Sequence, residues 1–353
     1  MNRPDQSDSR QLAAVEPDAP KAVVVIGGSA GSFYPLRDLI AGLPPELPAA
    51  VLVVIHRGER TPSHLAEILT RAGELPAEPA VDGEVLRSGR VYVAPPSRHL
   101  ITNRGRLRLT GGPRVNRHRP SVDVLFASTA RWARDRTVAV VLSGVLDDGA
   151  VGAALVAHAG GQVLAQQPAE AYFASMPAAA LAAAPNARAL PSTELAGAVL
   201  EQALAVARTA DQHPMHPREP IMNMADSDDP GFLDEGETKL TRLACPECGG
   251  GLAEVDLPQI TYFRCHVGHQ YAPQTLVAAQ AEAAEAKLWS AVAALEERAA
   301  LRRYLDELDL LHRPPVAPGQ PEPAQRIADW AAVLREQVRQ WTGQPTQLDE
   351  STG

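Results

Sequence analysis

Three uninterrupted apolar runs, rich in β-branched residues, decide what this chain can fold into: Val23-Val24-Val25-Ile26, Val51-Leu52-Val53-Val54-Ile55 and Val138-Ala139-Val140-Val141-Leu142. A strand with one face in water alternates apolar and polar residues. A strand covered on both faces reads as a continuous hydrophobic run, and two-sided cover is the habit of parallel sheets wrapped by helices. Runs of this kind alternate with helix-compatible stretches from Ala22 to about Arg208. They predict an α/β fold, a doubly wound and mainly parallel sheet with helices on both faces. Arg90 to Ala94 and Arg106 to Thr110 flank a polar turn and are expected to form a short antiparallel excursion. Leu195 to Val206 reads as an amphipathic helix, and the Ala-rich stretch Ala178 to Ala184 carries a weaker helical signal.

Each long run ends in residues that carry chemistry. The first empties into Gly27-Gly28-Ser29-Ala30-Gly31, a G-x-S-x-G turn that lifts a serine hydroxyl above the sheet edge. The helix expected next would offer unpaired N–H groups and a positive dipole end to a developing oxyanion. A phosphate-binding turn or a plain strand-helix connection would use the same glycines, but the dinucleotide fingerprint G-x-G-x-x-G is absent. The second run ends at His56, and the third leads through Ser143-Gly144-Val145-Leu146 to Asp147-Asp148-Gly149. Groups at the carboxyl ends of parallel strands gather on one edge. Ser29, His56 and Asp148 are therefore the candidate nucleophile, base and orienting acid of a triad. Their chain order differs from the Ser, Asp, His order of α/β-hydrolases, which argues against that fold.

Further segments share one pattern: Tyr92 to Leu100, the run Val115-Asn116-Arg117-His118-Arg119-Pro120-Ser121-Val122-Asp123-Val124-Leu125-Phe126, Gly160 to Gln166, and Ser175-Met176-Pro177. With the serine turn and the Asp148 loop, they resemble the catalytic domain of the chemotaxis protein-glutamate methylesterases, the CheB family, over residues 22 to 204. The resemblance implies hydrolysis of glutamate γ-methyl esters, and admits deamidation of glutamine, on methylated chemoreceptor-like proteins in the cytoplasm. It needs no cofactor for catalysis. It places the acidic role on Asp148 rather than its neighbour Asp147, and the lining of the oxyanion site on Ala30, Val145 and Met176. Arg117, His118 and Arg119 either shape the substrate cleft and meet acidic receptor helices or form a solvated turn. Three positions depart from the family pattern: Ser32 replaces a glycine of the serine turn, Val145 replaces a methionine, and Leu146 replaces a flexible glycine. A catalytically weakened module that binds a signalling partner is the alternative those departures leave open. Only about 20 residues precede the first strand, so no receiver domain is expected within this chain.

A second constellation lies further on. Cys245-Pro246-Glu247-Cys248-Gly249 is followed by Cys265-His266-Val267-Gly268-His269, two knuckles at zinc-ribbon spacing. Cys245, Cys248, Cys265 and His269 are the candidate ligands, with His266 as the rival fourth, and the zinc would be structural, stabilising a module too small for a full core. The organisation expected is a disordered N-terminus over 1–20, a CheB-type domain over 21–209, a linker over 210–238, a zinc-ribbon-like module over 239–273 and a helical tail over 274–345. Two amphipathic helices are expected in that tail, at Pro273 to His312 and Ala324 to Trp341, with apolar faces free to dock on the catalytic domain, on each other or on a signalling partner. His213 and His216 in the linker are expected to be exposed.

Composition narrows the partners. A net charge of -9 gives no basic field for nucleic acid, and no apolar run approaches the roughly 20 residues that span a bilayer. Three cysteines, all in one cluster, do not make a disulfide framework. A protein of the cytoplasm whose partners are other proteins is expected.

Overall fold

The computed structural model describes residues 20–56, 64–210, 237–258, 260–308 and 323–342. The N-terminal expectation save for Pro20, the greater part of the 210–238 linker and both of its histidines lie outside those residues. The chain divides into two compact units, residues 1–276 and 277–353.

In the first unit the elements run β1 (Ala22–Gly28), α1 (Phe33–Ala41), β2 (Ala49–Ile55), α2 (Leu65–Ala72), β3 (Ala77–Pro79), β4 (Arg90–Val93), β5 (His99–Asn103), β6 (Arg106–Thr110), α3 (Val122–Ala133), β7 (Thr137–Val141), α4 (Ala150–His158), β8 (Gln162–Gln166), α5 (Ser175–Ala183), β9 (Arg188–Leu190) and α6 (Ser192–Ala210). Seven strands form one parallel sheet in the order β3-β4-β2-β1-β7-β8-β9. The three apolar runs are its three central strands. Because side chains alternate across a strand, Val24 and Ile26 of β1 join Leu36, Leu39 and Val199 in a core under α1 and α6, while Val23 and Val25 join Leu125, Phe126 and Met176 on the opposite face. From β1 the chain steps one way to β2 and β4, then returns to β7 on the other side of β1. The crevice at the carboxyl ends of β1 and β7 is thus a topological switch point, where ligands of open α/β sheets collect.

One expected pairing is corrected. Arg90–Val93 is a parallel strand of the main sheet, and the antiparallel partner of Arg106–Thr110 is His99–Asn103. The turn between β5 and β6 is Arg104-Gly105, both at positive φ (49° and 77°), the two-residue geometry that suits the right-handed twist of a hairpin.

Four further strands, β10 (Glu237–Ala244), β11 (Gly251–Asp256), β12 (Thr261–Cys265) and β13 (Gln270–Tyr271), make a separate antiparallel sheet in sequence order. Its Val255 and Tyr262, with Ala272, pack against Ile101, Val115, Val124, Ala127 and Val151, so this small sheet covers the faces of α3 and α4. That cover explains why α3 is buried almost all round.

The second unit holds most of α7 (Pro273–Glu307) and all of α8 (Pro323–Thr342). Val292 and Ala299 on α7, and Ile327, Ala331 and Val338 on α8, are buried at helical spacing, and Arg335 pairs with Glu296. Among the described residues no helix is long and apolar enough to cross a membrane.

Candidate active site

Ser29 follows β1 immediately, and neighbouring residues hold its turn. Its amide donates to the Ser143 carbonyl at 2.9 Å, and the Ser143 hydroxyl donates to the Ala30 carbonyl at 2.8 Å. The Ser32 hydroxyl is buried and donates to the Ser29 carbonyl at 2.6 Å. The serine that departs from the family pattern thus closes the turn from inside. Gly27 has no space for a side chain, since a Cβ there would meet Val122 Cγ1 at 2.1 Å.

His56 leaves β2 beside the same turn, its amide donating to the Gly28 carbonyl at 3.1 Å. Its ring Nε2 lies 2.7 Å from Asp148 Oδ2, with both side chains nearly sealed from water. Nδ1 of that ring is buried and has no hydrogen-bond partner among the described residues. With Asp148 accepting at Nε2, the proton sits there and the lone pair sits on Nδ1. No hydrogen bond joins Ser29 Oγ to the ring among the described residues.

Asp148 is surrounded by donors. Oδ1 accepts from Ser121 Oγ (2.8 Å), Asn116 Nδ2 (2.9 Å) and the Asp123 amide (3.1 Å), while Oδ2 accepts from the Val122 amide (2.8 Å) as well as from His56. The two amides belong to the first turn of α3, so a carboxylate from another loop caps that helix and meets the positive end of its dipole. Burial alone would raise the pKa of Asp148. The hydrogen bond from His56 and the charge that ring carries when protonated, with lesser help from the Asn116 hydrogen bond, outweigh it and hold the carboxyl well below the usual carboxylate range. The second buried carboxyl, Asp123, accepts from the Gly149 and Gly152 amides and from Asn116, and burial together with the Asp148 charge pushes its pKa up.

Asp147, the rival acid, turns elsewhere. It accepts from the amides of Gln274 (2.7 Å) and Thr275 (3.1 Å) and from the Thr275 hydroxyl, capping the first turn of α7. His118 stacks on His56 with centroids 3.6 Å apart and planes 12° from parallel, and burial and the facing His56 lower its pKa to about 4. Arg119 donates from Nη1 to the carbonyls of Gly111 and Gly112. Arg117 sits in the same loop at φ 67°. The expected trio is therefore divided, with one member stacked on the His56 ring and one bracing the backbone.

Of the oxyanion candidates, Ala30 and Val145 are exposed. Among the described residues, no hydrogen bond takes the amides of Ala30 and Val145. Met176 is buried, and its sulfur packs so tightly on Gly144 that a Cβ there would meet Sδ at 2.0 Å and Ser29 Cβ at 2.9 Å. Leu146 takes a left-handed φ of 66°, a conformation glycine adopts freely and leucine at about 1 kcal/mol. Phe33, Tyr34, Tyr172 and Phe173 are exposed on the segments flanking the serine turn.

Residues 24–199 match the family model described as CheB methylesterase. They form a CheB methylesterase domain. The protein-glutamate methylesterase/protein-glutamine glutaminase 2 of Anaeromyxobacter dehalogenans is 39% identical over 192 residues, covering 54% of this chain and 56% of that protein. The protein-glutamate methylesterase/protein-glutamine glutaminase of Pectobacterium atrosepticum is 39% identical over 164 residues, covering 45% of this chain and 47% of that protein. The chain thus spans about half the length of the curated relatives it matches. A crystal structure of the Thermotoga maritima CheB methylesterase catalytic domain is 32% identical, with a TM-score of 0.48, over 51% of this chain and 97% of that one.

Beyond the CheB domain, the ligand atoms of Cys245, Cys248, Cys265 and His269 lie within 4.8 Å of one another. The Sγ atoms of Cys248 and Cys265 are 3.7 Å apart, and His269 Nδ1 is 3.8 Å from Cys245 Sγ and 3.5 Å from Cys265 Sγ. Tetrahedral zinc separates two sulfurs by about 3.8 Å and a sulfur from a nitrogen by about 3.5 Å, so the donor set fits that ion. Glu247 Oε2 stands 3.3 Å from His269 Nε2, the carboxylate partner expected of a ligating imidazole. His266 packs against Gly250 instead.

Proposed function

We propose that the CheB domain of this chain is a protein-glutamate methylesterase that works through Ser29, His56 and Asp148. The observation that carries this reading is the sealed 2.7 Å contact between His56 and a Asp148 carboxylate with five hydrogen-bond donors, beside a serine turn at the switch point of the sheet. Ser29 Oγ attacks the ester carbonyl carbon while His56 Nδ1 takes the hydroxyl proton. Asp148 keeps the other ring proton on Nε2 and stabilises the imidazolium. The tetrahedral oxyanion falls to the Ala30 and Val145 amides, a term of about 3 kcal/mol per donor in other hydrolases. Collapse breaks the C–OCH3 bond, and the His56 proton leaves with methanol. Water, deprotonated by the same nitrogen, then attacks the acyl carbon and releases the glutamate carboxylate and free Ser29.

Methylated chemoreceptor-like proteins are the proposed substrates, and a glutamine side chain at the same position would lose ammonia by the same steps. The stacked, uncharged His118 leaves His56 as the one ring to carry the transferred proton. Cys245, Cys248, Cys265 and His269 would hold zinc, which when bound cross-links two turns of the small sheet. Incubation of the full chain with methyl-esterified receptor cytoplasmic fragments tests the reading. Methanol release supports it, and release of neither methanol nor ammonia across several fragments overturns it in favour of a partner-binding module.

A further inference from the structure

We propose that Asn116 is a positioning residue for Asp148 and that the small antiparallel sheet holds Asn116 in place, so that the state of the cysteine cluster sets the activity of the triad. The proposal rests on the reading of Ser29, His56 and Asp148 as catalytic.

Two carboxylates, Asp123 and Asp148, are buried side by side, and the Asn116 amide group lies between them. One of its N–H bonds goes to Asp123 Oδ2 at 2.6 Å and the other to Asp148 Oδ1 at 2.9 Å. Rotating that amide by half a turn would aim its carbonyl oxygen at both carboxylates. What fixes the orientation is the Ala272 amide, which donates to Asn116 Oδ1 at 2.7 Å. The Asn116 backbone is held too, at a left-handed φ of 50°, by its own N–H donating to the Gln270 carbonyl at 2.8 Å. Residues 274 and 275 meanwhile grip Asp147, the neighbour of Asp148, through two amides and a hydroxyl. Residues 270–275 therefore hold Asp148 from both sides without supplying a reacting group.

The same segment begins one residue after His269. Tyr271 donates its hydroxyl to Glu247 at 3.1 Å and lies 3.3 Å from Cys245 Sγ. Loosening the Cys245, Cys248, Cys265 and His269 cluster frees β13, β13 releases the Ala272 amide, and the Asn116 side chain loses the partner that orients it. Misplacement of a positioned group by about 1 Å can cost about a hundredfold in rate.

The test compares the full native chain with Asn116→Ala, Ala272→Pro and the native chain treated with a zinc chelator. Ala272→Pro deletes the one N–H that orients Asn116, and Asn116→Ala, which keeps every backbone N–H at the cost of placing alanine at a left-handed φ, stands in should the proline variant not fold. Labelling of Ser29 by a fluorophosphonate, kcat and KM for methanol release, and the downfield proton resonance of the His56–Asp148 hydrogen bond are read together. The expected result is a fall of at least about tenfold in labelling rate and kcat in all three, with KM within about twofold and the downfield resonance lost. Native labelling and kcat in the folded Asn116→Ala chain overturn the proposal, and native rates after complete removal of the metal overturn its link to the cluster. If the native chain is labelled no faster than Ser29→Ala, the triad reading itself falls and takes the proposal with it.

Discussion

Replacing Asp148 by asparagine exchanges one carboxylate oxygen for an NH2 group in a pocket where nearly every neighbour donates. Oδ1 has three donors, Ser121 Oγ, Asn116 Nδ2 and the Asp123 amide, whereas Oδ2 has two, the Val122 amide and His56 Nε2. The new amide therefore settles with its oxygen in the three-donor position and its NH2 toward His56 and Val122. To accept from that NH2, the ring must move its own proton from Nε2 to Nδ1, the nitrogen that should receive the Ser29 proton. A wrong-tautomer substitution of this kind costs about 10⁴ in kcat in serine hydrolases, or about 5 kcal/mol. The Asp148 side chain is only 2% exposed, so KM should change by no more than about twofold. The Val122 amide left facing a donor costs about 1–3 kcal/mol of stability, offset in part by relief of the repulsion between Asp123 and Asp148. Methanol release under saturating and limiting substrate, with a melting curve beside it, reads all three quantities. A loss in kcat of less than tenfold in a folded variant would refute the orienting role.

Three other outcomes are expected. His99 is buried, donating from Nε2 to the Pro113 carbonyl and accepting from the Ser121 amide at Nδ1, and burial lowers its pKa to about 4. Its contribution to stability is present above the unfolded value of about 6.5 and lost as pH falls toward 4, with a slope of up to about 1.4 kcal/mol per pH unit. Denaturant titrations of His99→Gln should lack that slope between those limits, and an unchanged slope would count against it. Gly144→Ala should stop catalysis and cost about 1–3 kcal/mol, because its Cβ would meet Met176 Sδ at 2.0 Å; native activity in that variant would show that the contact yields. Metal analysis of the purified chain should find one zinc per chain, and His269→Ala should lose it while His266→Ala keeps it; the reverse pattern would reassign the fourth ligand.

The sheet was legible because its central strands are buried on both faces and therefore written as unbroken apolar runs. The short edge strand Ala77–Pro79 and the strand His99–Asn103 carry no such run, and the hairpin was mispaired for that reason. Ser29, His56 and Asp148 stood out as reactive residue types at strand ends. Their supports did not. Asn116, Ser121, Asp123 and His99 lie in segments that showed only similarity, although Ser121 followed by Asp123 is a helix N-terminal signal and α3 does begin at Val122. That Asp147 caps α7 while Asp148 faces His56 depends on a packing of distant segments that neither residue's neighbours in the chain record. The grip of Ala272 on Asn116 joins residues 156 apart and has no local trace.

Methanol release from methyl-esterified receptor fragments, measured for the native chain and Ser29→Ala at matched concentration, tests the central claim most directly. Release by the native chain that falls to background in the variant is the result expected of a serine methylesterase. Release that persists in Ser29→Ala would place the chemistry on another group and contradict the account.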